Sequence, residues 1–552
     1  MRTGAEFLIE HLNAEDVRHV FTVPGESFIA ALDAMHANPN VRPITCRNES
    51  GAAFMAEATG KLTGRPGIAL VTRGPGAANA FSGVYAAHEA ASPMILLVGL
   101  PPRMMLGRAA FQSIDLKAIF GSVAKWVAEV PSAAHLSAYL SRAFRAAMTG
   151  RSGPVVLGIA EDIFSETAEL RTVNRSVADN VAPHPSALDQ IRDALAFAER
   201  PLVIAGGSQW TAAAAQNLAV FAERFDLPVI TSFRRQDHFD NRHRCYAGHC
   251  GFTIAPSLAA GIRASDVVIA IGTRLGDVTT QGYQLFNGAR AGQKLICIAP
   301  DAGSSDIDTG ASLTIQASSP CAVVALAQLE LPGKTPPWAI WRRDLRAAHQ
   351  VTLRPNPTPG EVQLEEIITT LSETLPTDAI VTNGAGNYAA FLHRYFVYKA
   401  YPTQLAPQAG AMGYGLPAAI AAKLAFPERV VVAVAGDGCF QMTSQELMTA
   451  VQFALPIIVI VANNGTLGTI RMHQERRFPG RVIATTLMNP DFVAWAKSCG
   501  ALAERIDTSA AFAPALQRAM QASTPTVIEL ELDIEALSID ETLAQIRSSG
   551  SK

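Results

Sequence analysis

The stretch RVVVAVAGDGCFQMTSQE, residues 429–446, joins a run of valine and alanine to a Gly-Asp-Gly turn centred on Asp437. An apolar run of this length bounded by glycine predicts a buried strand. Thr443 and Glu446 then have the T-x-x-E spacing of a capping box, which predicts that a helix begins at Thr443. A second apolar run, PIIVIVANN at 456–464, predicts another strand. This order predicts a βαβ unit with parallel strands.

The same alternation of short apolar runs and helical stretches recurs along the chain. Residues 1–165 contain HVFTV, GIALVT and PMILLVG, residues 186–335 contain PLVIAGG and VVIAIG, and residues 358–535 contain TVIELELD. A polar stretch with proline around 166–190 is interpreted as a linker, and a second such stretch near 331–360 marks the next domain boundary. The sequence therefore predicts an α/β protein of three domains, each a doubly wound parallel sheet.

Composition excludes several classes of protein. Of the 552 residues, 49% are hydrophobic and 17% charged, which is too apolar for a disordered chain. The net charge of −3, without a basic block, argues against binding to nucleic acid or an acidic membrane. Apolar runs such as PIIVIVA are far shorter than the ~20 residues that span a bilayer. The N-terminus lacks a signal-peptide pattern, so we expect a cytoplasmic protein.

Seven cysteines are scattered along the chain, an odd number typical of reduced thiols. The densest group, HRCYAGHC at 243–250, is similar to a zinc knuckle, but no second pair of ligands lies nearby in the sequence. The pattern favours free thiols and surface imidazoles over a zinc site.

Ligands of open parallel sheets bind beyond the carboxyl ends of the strands, where Asp437 lies. The strand at 456–464 ends in Asn463 and Asn464, and both loops of a parallel βαβ unit emerge at one edge. A carboxylate, an amide oxygen and a carbonyl suit Mg²⁺, which prefers few protein ligands together with a phosphate. Alternatively, the glycines only form a turn and the asparagines are unrelated to it.

Gly-Asp-Gly, a gap of 24 residues (439–462) and Asn-Asn together resemble the signature of thiamine diphosphate enzymes. The resemblance implies that Asp437, the Asn464 side chain and the Thr466 carbonyl hold Mg²⁺ against the diphosphate. It also implies a glutamate after the second strand of the N-terminal domain, and Glu49 in RPITCRNESG stands there. Such a glutamate shares a proton with the pyrimidine and favours the tautomer that activates the thiazolium carbon. Without the resemblance, Glu49 is an acid favoured at a helix start.

Further segments extend this resemblance: VPGESF, RGPGAANA, AAFQSID, GAGNYAA and GAMGYGLPAA. They imply a pyrimidine-binding, a central and a diphosphate-binding domain. They also imply that Met412 lies under the thiazolium ring and forces the bent conformation of the cofactor. Active sites would lie between two chains, so the resemblance implies a homodimer at least, and a homotetramer. The implied cofactor-binding residues are Glu49, Pro75, Asn79, Ala385, Gly386, Asn387, Gly410, Met412, Asp437, Gly438, Cys439, Asn464, Leu467 and Gly468.

Within the family the chain is most similar to acetolactate synthase-like proteins. Phe111 and Gln112 match the pair that flanks the pyruvate-derived intermediate, which implies decarboxylation of a 2-oxo acid and acyl transfer to an acceptor. Three residues depart from the biosynthetic synthases: Val278 replaces an arginine that grips the second oxo acid, His473 a tryptophan, and Asn48 a histidine. Valine cannot supply a bidentate fork for a carboxylate.

Several alternatives stay open at this stage. Arg471, His473, Arg476 and Arg477 receive an anionic substrate, or they lie on a solvated helix with Glu475 as partner. FAD cannot be inferred, because Gly-Gly in VIAGGSQW is a weak signal. The other candidate functions are a decarboxylase or lyase for a larger or activated acyl substrate, and a non-catalytic, cofactor-binding regulatory subunit.

Overall fold

A computed structural model describes residues 1–169, 174–178, 180–286, 292–301, 310–330 and 337–550. It contains three six-stranded sheets whose paired strands are all parallel, and helices cover both faces of each. The predicted α/β class with three doubly wound sheets is confirmed. Within the part of the chain that the structure describes, no helix combines the length and apolar character needed to cross a membrane.

The N-terminal unit has strand order β3-β2-β4-β5-β7-β6, with β1 and β8 as a separate antiparallel pair. Its strands are β1 (Arg2–Thr3), β2 (His19–Thr22), β3 (Arg42–Thr45), β4 (Gly67–Thr72), β5 (Met94–Leu100), β6 (Trp126–Glu129), β7 (Pro154–Ala160) and β8 (Thr167–Ala168). Its helices are α1 (Gly4–Ala14), α2 (Ile29–Ala37), α3 (Glu49–Thr63), α4 (Arg73–Ala90), α5 (Leu116–Phe120), α6 (Leu136–Met148) and α7 (Glu161–Ser165).

The central unit has strand order β11-β10-β9-β12-β13-β14. Its strands are β9 (Pro201–Ala205), β10 (Val229–Thr231), β11 (Tyr246–His249), β12 (Val267–Ile271), β13 (Lys294–Ala299) and β14 (Leu313–Gln316). Its helices are α8 (Pro185–Ala196), α9 (Ala212–Arg224), α10 (Pro256–Ala264), α11 (Asp277–Thr280), α12 (Ser319–Ala327) and α13 (Ala339–Thr352).

The C-terminal unit has strand order β16-β15-β17-β18-β20-β19. Its strands are β15 (Ile380–Asn383), β16 (Gln404–Leu405), β17 (Val431–Gly436), β18 (Ile458–Asn463), β19 (Leu502–Ile506) and β20 (Thr526–Glu531). Its helices are α14 (Leu364–Thr374), α15 (Tyr388–Tyr395), α16 (Gly415–Ala425), α17 (Asp437–Gln441), α18 (Glu446–Gln452), α19 (Gly468–Arg477), α20 (Phe492–Ser498), α21 (Phe512–Gln521) and α22 (Leu543–Gly550).

The apolar runs are continuous because each sheet buries both faces. Along β17, Val432 and Val434 point into one core, while Ala433 and Ala435 point into the other. The second of these cores also contains residues of α3 and α4, so the N-terminal and C-terminal units share it. This shared core fixes the position of α3 relative to the C-terminal sheet.

The stretch near 331–360, predicted to mark a domain boundary, contains the helix α13. Trp341 and Leu345 of this helix pack against a core of the central unit. The helix was not predicted, because the sequence on both sides of it is rich in proline. The predicted boundary at residue 335 lies outside the described residues, as do 170–173 and 179 of the first linker.

The predicted capping box is also wrong. The short helix α17 begins at Asp437 itself, and α18 begins at Glu446 without a side-chain cap. The Thr443 hydroxyl donates a hydrogen bond to the Gly413 carbonyl, 2.6 Å away. The Glu446 carboxylate accepts two backbone amides of the N-terminal unit and the Thr449 hydroxyl of its own helix. The T-x-x-E spacing allows a capping box but does not exclude partners that the fold brings from elsewhere.

Candidate active site

The Gly-Asp-Gly turn follows β17 at the carboxyl edge of the C-terminal sheet. Gly436 pairs with Ala462 of β18, so Asp437, which follows β17, lies next to Asn463 at the end of β18. The Asp437 carboxylate is 3% exposed and accepts hydrogen bonds from the Gly438 amide at 2.8 Å and the Asn489 side chain at 2.7 Å. Asp437 is therefore buried and directly follows the carboxyl end of β17.

Burial raises the pKa of the Asp437 carboxyl, while hydrogen bonds from Asn489 and the backbone of Gly438, Gly465 and Thr466 act in the opposite direction. Removing a carboxylate from water disfavours its charged form, and a nearby cation would offset that cost. The local donors are oxygens, which suit a hard cation such as Mg²⁺. The residues present therefore fit the predicted metal.

The loop after β18 brings the other predicted ligands to this position. Asn464 Oδ1 accepts the Thr466 amide at 3.2 Å, and the Thr466 hydroxyl donates to the Thr485 carbonyl at 2.8 Å. Asn489 donates to Asn463 Oδ1 at 2.8 Å as well as to Asp437. One amide group therefore ties the two loops together.

The predicted diphosphate-binding residues also lie around this edge. A Cβ placed on Gly438 would lie 2.7 Å from Leu467 Cδ2 and 3.8 Å from Met412 Cε, so these residues converge. Gly468 is the first residue of α19, and a Cβ there would stand 3.6 Å from Asn464 Nδ2.

The loop with Ala385, Gly386 and Asn387 meets the Gly-Asp-Gly turn through Cys439. The Tyr388 hydroxyl donates to Cys439 Sγ at 3.2 Å and accepts the Gly384 amide at 3.1 Å. A Cβ on Gly384 would lie 2.4 Å from that sulfur, so glycine is required for this approach. The Asn387 side chain accepts from the Thr469 hydroxyl at 2.8 Å.

Gly410 belongs to the loop before α16 and has a φ of +67°, with open space where a Cβ would stand. Its left-handed backbone strongly favours glycine. The loop continues through Met412 to the Gly413 amide, which donates to Cys439 Sγ at 3.2 Å. The loop that contains Gly410 thus contacts Cys439, next to the Gly-Asp-Gly turn.

The predicted acid lies in the N-terminal unit. Glu49 is the first residue of α3, and the Asn79 side chain donates to its Oε2 at 2.9 Å. A Cβ on Gly76 would lie 3.4 Å from Glu49 Oε1, so the first turn of α4, which contains Pro75, packs beside the carboxylate. The structure thus brings Glu49, Pro75 and Asn79 together at the start of α3 and α4.

The Phe111–Gln112 pair lies on an exposed loop next to the start of α4. The Gly74 amide donates to the Gln112 carbonyl at 2.9 Å, and Gln112 has a φ of +60°. The Phe111 side chain is 75% exposed. The partners described for this pair and for Glu49 belong to the N-terminal unit, whereas those of Asp437 belong to the C-terminal unit.

The α19 residues agree in part with the alternative of a solvated helix, because Glu475 pairs with Arg471 at 3.3 Å and His473 is exposed. Glu475 is fully buried, not solvated, and accepts from Arg547 of α22 at 2.8 and 2.9 Å and from Arg471 at 3.3 Å. Hydrogen bonds from Arg547 are the main cause that lowers the pKa of Glu475 to about 2. Its burial reflects α22, which packs on α19 and covers this face.

The remaining basic residues of α19 have separate surroundings. Arg476 pairs with Glu541 at 3.4 Å, Arg477 stacks on the Phe478 ring, and His473 is exposed. The four basic residues proposed as an anion site therefore do not act as one group: Arg471 is committed to the buried Glu475.

Val278 lines a cavity of about 110 Å³ between the central and N-terminal units. Arg274 and Arg151 also line this cavity. Arg274 pairs with Glu89, and Arg151 donates to the His88 carbonyl at 2.7 Å. Sequence reasoning missed both arginines, since neither stands in the family pattern. The wall of the cavity beside Val278 therefore includes two arginine side chains.

The glycine pair in VIAGGSQW has a packing role. Gly207 has a φ of +78°, and a Cβ there would lie 1.7 Å from the Gly272 carbonyl oxygen. Two strand ends approach so closely that glycine is needed whatever binds nearby. The pair therefore carries no information on FAD.

The HRCYAGHC group has buried thiols, since Cys245 and Cys250 are free and buried. The expectation of surface imidazoles is wrong: His243 and His249 are both partly buried. Burial lowers the pKa of His249 to about 3, and His243 contacts Glu223 at 3.0 Å.

Three residues at the site were not singled out from the sequence: Asn489, Tyr388 and Glu529. Glu446 was, but only as part of the capping box that the structure does not form. Glu529 is 2% exposed and accepts from the Asn463 side chain at 2.8 Å, and its signal was an acid inside the apolar strand TVIELELD. Asn489 had no such signal, because nothing in its local sequence indicates a distant carboxylate.

Comparison with known proteins gives a consistent result along the chain. Three family profiles match: the N-terminal TPP binding domain of thiamine pyrophosphate enzymes at 2–119, the central domain at 188–326 and the C-terminal TPP binding domain at 384–530. The acetolactate synthase large subunit of Haemophilus influenzae is 30% identical, covering 96% of this chain and 94% of that protein. The Escherichia coli acetolactate synthase isozyme 3 large subunit is 30% identical, covering 91% of this chain and 89% of that protein.

Proposed function

The chain belongs to the thiamine pyrophosphate (thiamine diphosphate) enzyme family, and from that premise we propose an acetolactate synthase-like carboligase. It decarboxylates a 2-oxo acid, pyruvate by default, and transfers the acyl unit to an acceptor. The observation that carries this proposal is the buried Asp437 beside Asn464 and Thr466 at the edge of the C-terminal sheet. Mg²⁺ is the expected metal.

When bound, thiamine diphosphate supplies a nucleophilic carbon and an electron sink for decarboxylation. Asp437, the Asn464 side chain and the Thr466 carbonyl would hold Mg²⁺, and the glycine-rich loops around Gly386 would receive the diphosphate. Glu49 would hold a proton at the pyrimidine ring, with Asn79 orienting its carboxylate. Residues 1–165, 186–335 and 358–535 would form the pyrimidine-binding, central and diphosphate-binding domains.

We place each active site between two chains, in a homodimer at least and in a homotetramer as the full assembly. This proposal is supported by the partners of the two acids: Glu49 accepts from Asn79 of the N-terminal unit, and Asp437 accepts from Asn489 of the C-terminal unit. The 75% exposure of Phe111 also fits a residue that completes a neighbouring chain's site. The seven free thiols support a cytoplasmic location.

The acceptor is set by the surroundings of Val278. Losing a charge-assisted hydrogen bond to a second carboxylate costs roughly 1.5–3 kcal/mol, or about ten- to a hundredfold. We therefore expect slow acetolactate formation from pyruvate and better ligation with an uncharged aldehyde. The cavity with Arg151 and Arg274 favours a second candidate, a decarboxylase or lyase for a larger or activated anionic acyl substrate.

The test incubates the purified protein with thiamine diphosphate, Mg²⁺ and a panel of 2-oxo acids with and without aldehydes, and identifies products by mass spectrometry. The matched control is Glu49→Gln, which should still bind cofactor while turnover falls by roughly 10²–10⁴. Acetolactate as the sole fast product would refute the role given to Val278. Cofactor binding without CO₂ release from any substrate would instead support the non-catalytic regulatory subunit.

A further inference from the structure

Glu446, the first residue of α18, reaches out of its own unit. Its side chain is 0% exposed, and Oε1 accepts the backbone amides of Arg47 and Asn48, both at 3.0 Å. Its other oxygen accepts the Thr449 hydroxyl at 2.7 Å. A buried carboxylate that accepts several hydrogen bonds is held firmly, because each lost bond leaves a desolvated charge.

The two amides belong to the turn that leads from β3 into α3. Asn48 is the N-cap of α3, with Oδ1 accepting the Ser50 amide at 2.9 Å, and Glu49 follows immediately. The Arg47 side chain also reaches the end of α18, donating to Gln452 at 2.7 Å. The backbone from which Glu49 projects is therefore held by α18 on one side.

The first turn of α3 approaches Glu446 so closely that it needs glycine. A Cβ on Gly51 would lie 2.5 Å from Glu446 Oε1 and 2.8 Å from its carboxyl carbon. Gly51 has ordinary helical geometry, so the requirement comes from this contact alone. Burial raises the pKa of Glu446, opposed by hydrogen bonds from Thr449, Arg47 and Asn48.

We propose that Glu446 is a positioning residue for Glu49. It fixes the turn at Arg47 and Asn48 and thereby ties the acid to the helix that follows the Asp437 turn. This inference rests on the proposed role of Glu49. An apolar residue of similar size could fill the space, but it could not accept two backbone amides.

The test uses two variants of Glu446. Glu446→Ala should raise hydrogen exchange at the Arg47 and Asn48 amides in the cofactor-free protein by about tenfold or more, because both lose their acceptor. With cofactor and Mg²⁺ but no substrate, exchange of the thiazolium C2 proton, read by NMR after acid quenching, should slow by roughly ten- to a hundredfold, as expected for a misplaced acid. Cofactor affinity should change by less than about threefold, since Glu446 is not placed at the diphosphate.

Glu446→Gln should restore most of both properties. Its amide oxygen can still accept the two backbone amides, and its NH₂ group can donate to the Thr449 hydroxyl. If Glu446→Ala does not fold, Gly51→Ala carries the test, because the added Cβ would displace the carboxylate and should give the same two changes.

The matched control is Glu365→Ala. Glu365 is also 0% exposed, lies in the same unit and accepts the Thr358 amide at 2.6 Å and hydroxyl at 2.8 Å. It should lose stability without altering either exchange rate. Wild-type protection at residues 47–48 and wild-type C2 exchange in Glu446→Ala would overturn the proposal. Wild-type C2 exchange in Glu49→Gln would instead refute the role of Glu49 itself.

Discussion

Asp437→Asn separates the charge of this side chain from its shape. The substituted amide can keep the hydrogen bond from the Gly438 backbone, but its NH₂ group faces the Asn489 NH₂ group, a donor against a donor. Losing that bond costs about 1–1.5 kcal/mol, and removing a buried charge of raised pKa acts in the opposite direction. We expect the free energy of unfolding of the cofactor-free variant to lie within about 1 kcal/mol of that of the wild type.

Ligand binding should reveal the difference. With thiamine diphosphate and Mg²⁺ at a hundred times the dissociation constant, wild type should gain about 2.7 kcal/mol of stability. For a unit of this size, that corresponds to a rise in Tm of roughly 5–10 °C. The variant should gain almost none, because the amide carries no charge to hold the cation against the diphosphate.

Thermal unfolding of both proteins, with and without cofactor and metal, measures this difference. The matched control is Asp378→Asn, which removes a carboxylate from the amino end of β15, where its side chain is 57% exposed and pairs with Arg429. That variant should respond to cofactor as wild type does. An equal rise in Tm for Asp437→Asn would show that the metal is held elsewhere.

Three further outcomes are expected. Val278→Arg should raise the share of acetolactate formed from pyruvate alone by roughly ten- to a hundredfold, and an unchanged product ratio would exclude this position from acceptor binding. Asn489→Ala should weaken Mg²⁺ binding, measured calorimetrically, by about tenfold, because Asp437 loses an orienting partner; an unchanged affinity would contradict this. Arg547→Ala should lower the free energy of unfolding by about 1–2 kcal/mol relative to wild type near neutral pH. Glu475 has its pKa lowered from 4.5 to about 2, so this difference should shrink as the pH falls through that range and protonates Glu475 in wild type too; a difference that grows toward acid would refute the pairing.

Much of the fold was predictable from local sequence. The stretches PIIVIVA and RVVVAVAG form strands that are apolar on both faces, because helices cover both sides of a parallel sheet. Runs of consecutive apolar residues indicate this burial directly. The carboxyl-edge position of Asp437 follows from the same rule, since both loops of a βαβ unit emerge together. The helix α13 escaped prediction because its polar sequence, AIWRRDLRAAHQVT, lies among prolines and buries few large side chains.

The hydrogen-bond partners of the site residues, in contrast, could not be predicted from local sequence. Thr443 and Glu446 fit a local capping box by spacing, yet Glu446 accepts amides 398 and 399 residues away in sequence. Asn489 orients Asp437 from 52 residues away, and Arg547 neutralises Glu475 from 72 residues away. A carboxylate accepts any N–H that the fold presents, so its chemistry alone does not specify the donor.

The sequence by itself therefore determined the three parallel sheets and the position of Asp437 at a strand end, because apolar periodicity and turn residues act over a few neighbouring residues. The family followed from the resemblance of the Gly-Asp-Gly and Asn-Asn motif, which also singled out Glu49. Only the tertiary structure decided that Glu446 grips the turn before Glu49, that Asn489 joins two loops and that α22 buries Glu475. These contacts depend on how packed cores bring distant backbone groups within about 3 Å, which no local pattern encodes.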